Sequence, residues 1–180
     1  METLPLTIRT ARPGDAAEIA RVYVESWQDA YPGNLSNALL ASMSRGGQTG
    51  RWRAAICQGE LVLVAEHDKH GIVGMTSAGP SRDRSLGFDG EVYTLYVDPS
   101  FYGQGAGRKL LKAAFAELRK RGSKSCVIWA HARNNARFFY EAMGGRLVAE
   151  RAARMMGDPV PEAAFGWKTL TLAERSTVGK

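Results

Sequence analysis

Three glycines at alternate positions, Gly103, Gly105 and Gly107, stand between an apolar run that ends Val97-Asp98-Pro99 and an amphipathic stretch that begins Arg108-Lys109-Leu110-Leu111. Glycine opens backbone angles closed to other residues and lets main-chain N–H groups approach a ligand with no Cβ in the way. A helix beginning directly afterwards adds unsatisfied N–H donors and the positive end of its dipole. Those features together make a cradle for phosphate or pyrophosphate. Two nucleotide loops are excluded by spacing. A G-x-x-x-x-G-K-[ST] loop fails because Gly107 is followed by Arg-Lys-Leu. A G-x-G-x-x-G fingerprint fails because Arg108 occupies the third glycine position counted from Gly103, and because Asp98 to Tyr102 separate the apolar run from the first glycine. The loop therefore points to a phosphorylated cofactor or substrate of another kind.

Other reactive side chains are few. Cys57 and Cys126 both lie in apolar-flanked segments and read as buried thiols of a reducing cytosol, and two Cys with three scattered His give no zinc spacing. His67 and His70 flank a turn and read as surface residues. The formal charge of +6 is concentrated in Arg108, Lys109, Lys112, Arg119, Lys120, Arg121 and Lys124, where the part nearest the loop suits phosphates and the rest a solvated helix face. No aromatic residues interleave with that basic cluster, so no nucleic-acid partner is expected.

The elements that must position this loop follow from periodicity. Residues 105–121 carry the strongest helical stripe, Leu110, Leu111, Ala114, Phe115 and Leu118, with Gly122 at the position after the cap. Glu91 to Val97 and Ser125 to His131 flank it as strands, and alternation in the first would put Glu91, Tyr93, Leu95 and Val97 on one face. Leu6 to Arg9 opens the chain as a strand. A helix follows with Asp15 and Glu18 as a capping box and Ile19, Val22, Tyr23, Trp27, Ala30 and Tyr31 inward, closed by Pro32-Gly33. Leu35 to Met43 reads as a second helix, Gly46-Gly47 as a break, and Arg51 to Cys57 as a further helical segment. Glu60 to His67 and Ile72 to Ala78 form a hairpin, and Ser81 to Gly90 is a loop. Asn134 or Asn135 caps a helix bearing Ala136, Phe139, Tyr140 and Met143, with Arg146 to Met155 and Ala163 to Leu170 as the last strands. This order argues for a mixed α/β sheet with helices on both faces.

Length sets one domain, residues 1–172, with a polar tail at 173–180 that reads as disordered. No apolar run reaches the ~18 residues of a membrane span, and the N-terminus shows no signal-peptide pattern. A cytoplasmic protein without a membrane partner is expected.

At this point the residues resemble a known family. Glu91-Val-Tyr-Thr-Leu-Tyr-Val97-Asp98-Pro99 followed by Tyr102-Gly103-Gln104-Gly105-Ala106-Gly107 resembles motif A, Q/R-x-x-G-x-G/A, of the GCN5-related N-acetyltransferases. Asn134-Asn-Ala136-Arg-Phe-Phe139-Tyr140-Glu141-Ala-Met-Gly144-Gly145 is similar to that family's N-x-x-A-x-x-F-Y-E-x-x-G segment. Two positions depart: Tyr102 stands where Gln or Arg opens the motif, and Asn134 lies six residues before Tyr140 where many members have seven.

The resemblance implies an α/β fold with a mixed, mostly antiparallel central sheet of about seven strands and helices on both faces, splayed between the two central parallel strands, here 91 to 97 and 125 to 131. It implies acetyl-CoA as co-substrate and no metal. Main-chain groups of Leu95, Tyr96 and Val97 would pair with pantetheine as an added strand. Gly103, Gln104, Gly105, Ala106, Gly107 and Arg108 would cradle the pyrophosphate, and Asn134 would touch the cofactor. The implied reaction is direct attack of a neutral amine on the thioester. Tyr140 matches the family's general acid, and a Tyr is protonated at neutral pH. The base is open between Glu91, His131, a water relaying to either, and no base at all. Trp27 and Tyr31 either line the acceptor pocket or belong to the core. The expected acceptor is a small-molecule amine, with a peptide or protein amine as the alternative. A non-catalytic acyl-CoA-binding module stays open beside the enzyme, and the late strands offer a homodimer contact.

Overall fold

In the computed structural model, which describes residues 6–30, 36–155 and 158–173, the strand signals of the first half become an antiparallel meander. Strands β1 (Leu6–Thr10), β2 (Leu61–His67), β3 (Gly71–Pro80) and β4 (Gly90–Val97) lie side by side, then β5 (Cys126–His131), β7 (Asp158–Trp167) and β6 (Arg146–Met155) complete a seven-stranded sheet in the order β1-β2-β3-β4-β5-β7-β6. Only β4 and β5 run parallel; the other neighbours are antiparallel. This is the mixed sheet that the element order called for.

Helix α4 (Ala106–Lys120) lies on one face because its apolar stripe matches it. Leu110, Leu111, Ala114, Phe115 and Leu118 are all at most 1% exposed and pack with Leu63, Val73, Val92, Val97, Ile128 and Phe165. Each such side chain contributes about 1.5–3 kcal/mol by leaving water. Helix α5 (Ala136–Ala142) packs beside it on the same face. The opposite face is divided. Helices α1 (Ala16–Ala30) and α3 (Arg45–Cys57) cover Val62, Val64, Ile72 and Met75, with Leu39 of the short α2 (Asn37–Ser42) beside them. Val160 of β7 joins that cluster, while Phe88 of the 81–89 loop, and no helix among the described residues, packs against Val127 and Ala164.

Several local expectations are corrected. Asp15 and Glu18 do not form a capping box: Asp15 ends a short 3-10 turn and accepts from Arg12 N–H at 2.6 Å and from the Arg9 guanidinium at 2.7 Å, while Glu18 accepts from Ile72 N–H at 2.9 Å. Asp15 instead caps the preceding 3-10 turn from its end, with an ion pair to Arg9, and Glu18 is drawn into a tertiary contact. Gly46-Gly47 does not break the chain, because Ser44 Oγ accepts from Gly47 N–H at 3.1 Å and starts α3 ahead of it. Strand β7 begins at Asp158, not Ala163, since β6 pairs with it from Asp158 onward despite Pro159 and Pro161, and β5 joins from Glu162. Cys57 is exposed at the end of α3, whereas Cys126 is buried. His67 is buried and accepts at Nδ1 from Lys69 N–H, so it is no surface residue. Tyr31 and residues 174–180 lie outside the described residues.

The strict alternation expected along β4 fails for a reason that matters to the site. Its register with β3 jumps from Ser77↔Thr94 to Ala78↔Val92, a β-bulge at Tyr93. Leu95 and Val97 therefore join the α4 face, while Glu91 and Tyr96 share the opposite one.

Candidate active site

The parallel ladder between β4 and β5 consists of Gly90↔Cys126, Glu91↔Val127 and Val92↔Ile128, and then stops. Strand β4 continues to Val97 and β5 to His131, so the two diverge and leave β4 an open edge. Asp98 N–H donates to Val73 O at 2.8 Å. By antiparallel alternation, Tyr96 then turns its N–H and C=O to β3, while those of Leu95 and Val97 face the opening. Ser26 Oγ of α1 donates to Val97 O at 2.9 Å, so the main chain of Leu95 is the freer hydrogen-bonding unit there.

The glycine loop caps this opening. Gly103 has φ +73° and Gly105 φ +87°, both left-handed, and neither has a neighbour within 4 Å of where a Cβ would stand. Gly107 is required for another reason: a Cβ there would come within 3.3 Å of Phe139 Cζ on α5. The first helical bond of α4 runs from Lys109 N–H to Gly105 O at 3.1 Å, so the N–H groups of Ala106, Gly107 and Arg108 have no helical acceptor. The Arg108 side chain turns away, with Nη2 donating to Ala173 O at 2.6 Å, and Gln104 Nε2 donates to Ser100 O at 3.0 Å. The loop's anion-binding capacity thus resides in its main chain and the helix dipole.

The loop is moored to α1 at two points. Arg21 donates to Asp98 Oδ2 at 2.8 Å, and Asp98 Oδ1 accepts from Ser100 N–H at 3.0 Å. Burial pushes the Asp98 carboxyl up, but Arg21 and Ser100 outweigh it and hold the group below the usual range. Tyr102 reaches Asp29, and burial together with that carboxylate pushes its phenol up to about 12. Tyr102, half-exposed, thus faces a carboxylate of α1 from the position where the resembling motif has Gln or Arg. A cleft of about 660 Å³ lies beside these moorings, with His67, His70 and Phe101 stacked in its wall.

On the face opposite α4, beside the divergence, lies a cleft of about 340 Å³ lined by Arg82, Asp83, Glu91, Trp129, Arg151 and Glu162. Glu91 is 1% exposed, and Arg82 holds it: Oε2 accepts from Arg82 N–H at 2.8 Å, and Oε1 from Nε at 3.0 Å and from Nη2. The Arg82 guanidinium also stacks on the Tyr93 ring at 4.5 Å. His131 is buried with Nδ1 accepting from Arg133 N–H at 3.1 Å, which places the neutral imidazole's proton on Nε2. Burial, reinforced by Arg133, holds its pKa below the ordinary value, with Glu162 opposing.

Tyr140 is buried on the other face among Phe139, Phe165 and Trp167. The helix that carries it begins with Asn134 Oδ1 accepting from Ala136 N–H at 2.9 Å, so the Asn134 carboxamide serves the chain turn. Trp27 packs with Tyr23 and Tyr96, at 6.0 and 6.5 Å between ring centroids, where α1 crosses the end of β4. Cys126 is fully buried, and burial pushes its thiol up to about 12. The structure thus brings Leu95, Val97, the glycine loop and α5 around one opening, with Glu91 on its far face.

Arg82, Trp129, Arg151 and Glu162 are not among the residues that the sequence singles out. These residues come from one loop and three strands, and nothing local marks them. The only sequence signal was Trp129, an aromatic residue at odd parity to Cys126, Ile128 and Ala130 on the face without a helix.

Residues 58–144 match the family model described as an acetyltransferase (GNAT) domain. YuaI, an uncharacterized N-acetyltransferase of Bacillus subtilis (strain 168), is 32% identical over 166 residues, which span 92% of this chain and 95% of that protein. A GCN5-related N-acetyltransferase from Rhodopseudomonas palustris shares the fold with a TM-score of 0.73 and 22% identity, covering 92% of this chain and 97% of that one. The structure of yncA from Salmonella typhimurium with its cofactor acetyl-CoA does so with a TM-score of 0.66 and 22% identity, covering 97% and 99%.

Proposed function

The chain belongs to the GCN5-related N-acetyltransferase family, and on that premise we propose that it moves an acetyl group from acetyl-CoA to the amine of a small molecule, by direct attack with both substrates bound. The observation that carries this reading is the β4–β5 ladder, which stops at Val92↔Ile128 just where a glycine loop presents free N–H groups to the opening. Two left-handed glycines and a helix N-terminus fit a pyrophosphate, and an open strand edge fits a chain of amides. Acetyl-CoA, when bound, supplies the thioester whose acetyl carbon the amine attacks.

The chain's own groups have separable tasks. Gly103 to Arg108 bind the pyrophosphate through main-chain N–H groups, and the Leu95 and Val97 edge aligns the pantetheine. The Leu95 N–H polarises the carbonyl oxygen as charge develops on it. Tyr140 gives a proton to the departing sulfur. Glu91 holds the acceptor's ammonium and takes the proton it loses, once Oε1 is released from Arg82. His131 is a poorer receiver than Glu91, because its Nδ1 lone pair is engaged by Arg133 N–H. Cys126 is too buried and too weakly acidic to carry the acetyl group. Trp27 belongs to the core with Tyr23 and Tyr96 and does not line the cleft of about 340 Å³, whose size matches a small acceptor.

The test is thiol release from acetyl-CoA across amino acids, polyamines, aminoglycosides and peptides, with acetylated product identified by mass. Turnover with a small amine supports the proposal. Tight acetyl-CoA binding with no turnover on any amine would make the chain a binding module, and turnover confined to peptides would overturn the acceptor class.

A further inference from the structure

The cleft beside Glu91 has an unusual electrostatic make-up for an amine site. Two guanidinium–carboxylate pairs build it, Arg82 with Glu91 and Arg151 with Glu162, the latter through Nε to Oε2 at 2.6 Å. Each guanidinium lies on an aromatic ring, Arg82 on Tyr93 at 4.5 Å and Arg151 on Trp129 at 3.9 Å. Stacking fixes the plane of each fork while leaving its edge donors available. The arginines are the open partners, with side chains 63% and 46% exposed, and the carboxylates lie beneath them at 1% and 23%. A ligand entering this cleft meets guanidinium first and carboxylate second.

That order excludes some acceptors on charge alone. A polyamine or aminoglycoside, positive along its length, must pass two guanidiniums with little to gain. A ligand with an ammonium and a nearby carboxylate fits both layers. Its ammonium replaces Arg82 at Glu91 Oε1, while Oε2 keeps its bond from Arg82 N–H at 2.8 Å. The freed Arg82 fork then takes the ligand's carboxylate. Arg151 uses Nε on Glu162, which leaves its two terminal amino groups for a second contact to the same carboxylate. One internal ion pair is exchanged for two with the ligand, so no charge is left buried without a partner.

From this arrangement we infer that the acceptor is a small zwitterion, a free amino acid or a close analogue, whose carboxylate is read by Arg82 and Arg151 and whose amine is delivered to Glu91. The inference rests on the acetyl-transfer reading and narrows its acceptor class.

The experiment compares matched acceptors on the full chain: each amino acid, its carboxamide and its decarboxylated amine, followed by thiol release. The kcat/KM for the preferred amino acid should exceed that of its carboxamide by roughly tenfold to a hundredfold, the range of a charge-assisted bond lost. Arg151→Gln should erase most of that gap through KM, lowering the amino acid's kcat/KM far more than the carboxamide's, and Arg151→Lys should restore part of it. An unchanged melting temperature for both variants shows that they are folded. Carboxamides or decarboxylated amines that react as well as the acid, or an Arg151→Gln variant that weakens both equally, overturn the inference while leaving acetyl transfer intact. Acetyl-CoA binding without turnover on any of these amines overturns the acetyl-transfer reading and the inference with it.

Discussion

Replacing Gly105 with alanine separates what the glycine loop does for the fold from what it does for the ligand. Gly105 has φ +87°, and an added Cβ meets nothing within 4 Å, so the substitution introduces backbone strain and no overlap. An L-residue held in that region costs about 1–2 kcal/mol. For a chain of this size each kcal/mol lowers the melting temperature by about 2–4 °C, so Gly105→Ala should lose roughly 2–8 °C. Any relaxation of the loop under that strain also moves its N–H groups out of convergence, so acetyl-CoA affinity should fall as well, by at least about tenfold, the equivalent of ~1.4 kcal/mol. Gly59 is the matched control, because it has φ +81° and equally open space but lies at the end of α3. Gly59→Ala should lose comparable stability with acetyl-CoA affinity intact. Thermal unfolding and calorimetric titration of both variants read the two effects. Equal acetyl-CoA affinity in the two variants, with stability lost in both, would refute the assignment of the loop as the phosphate cradle.

Two further outcomes are expected. Tyr140→Phe should lower kcat by about a hundredfold or more, the usual worth of a positioned proton donor, with the acetyl-CoA dissociation constant unchanged; an equal kcat would remove Tyr140 from the chemistry. Arg21→Gln should lower the melting temperature at pH 7 by a few degrees, since the Arg21–Asp98 pair is partly solvent-screened and contributes on the order of 1–2 kcal/mol. Asp98 is held below its ordinary pKa in the folded chain. Its contribution is therefore complete above the unfolded carboxylate's pKa and is lost as pH falls through the folded value, so the gap between variant and wild type should close below about pH 4. A gap independent of pH would show that the bond from Arg21 to Ile72 O, at 2.7 Å, carries the effect.

Periodicity and glycine placement were legible in the chain because they are local. The α4 stripe and the turn at Asp68 to Gly71 follow from spacing that a single segment carries, whereas the parallel pairing of 91–97 with 125–131 was implied by the family resemblance alone. The bulge at Tyr93 was not legible, since it depends on the register of β3, and missing it put Leu95 and Val97 on the face of Glu91. The cap at Asp15 was misread for the same kind of reason: Arg9 and Ile72 compete for those carboxylates from other elements. The proposed donor side is written largely in contiguous residues, Tyr102 to Arg108. The proposed acceptor side is assembled from Arg82, Glu91, Trp129, Arg151 and Glu162, and only the folded sheet brings them together.

The most direct measurement is amide hydrogen exchange, resolved to single residues, with and without saturating acetyl-CoA. The account predicts new protection at Leu95 and Val97 on the open β4 edge and at Gly103 through Arg108, with His70 in the cleft beside the loop unchanged. Protection elsewhere, or none along β4 and the glycine loop while acetyl-CoA is bound, would contradict it.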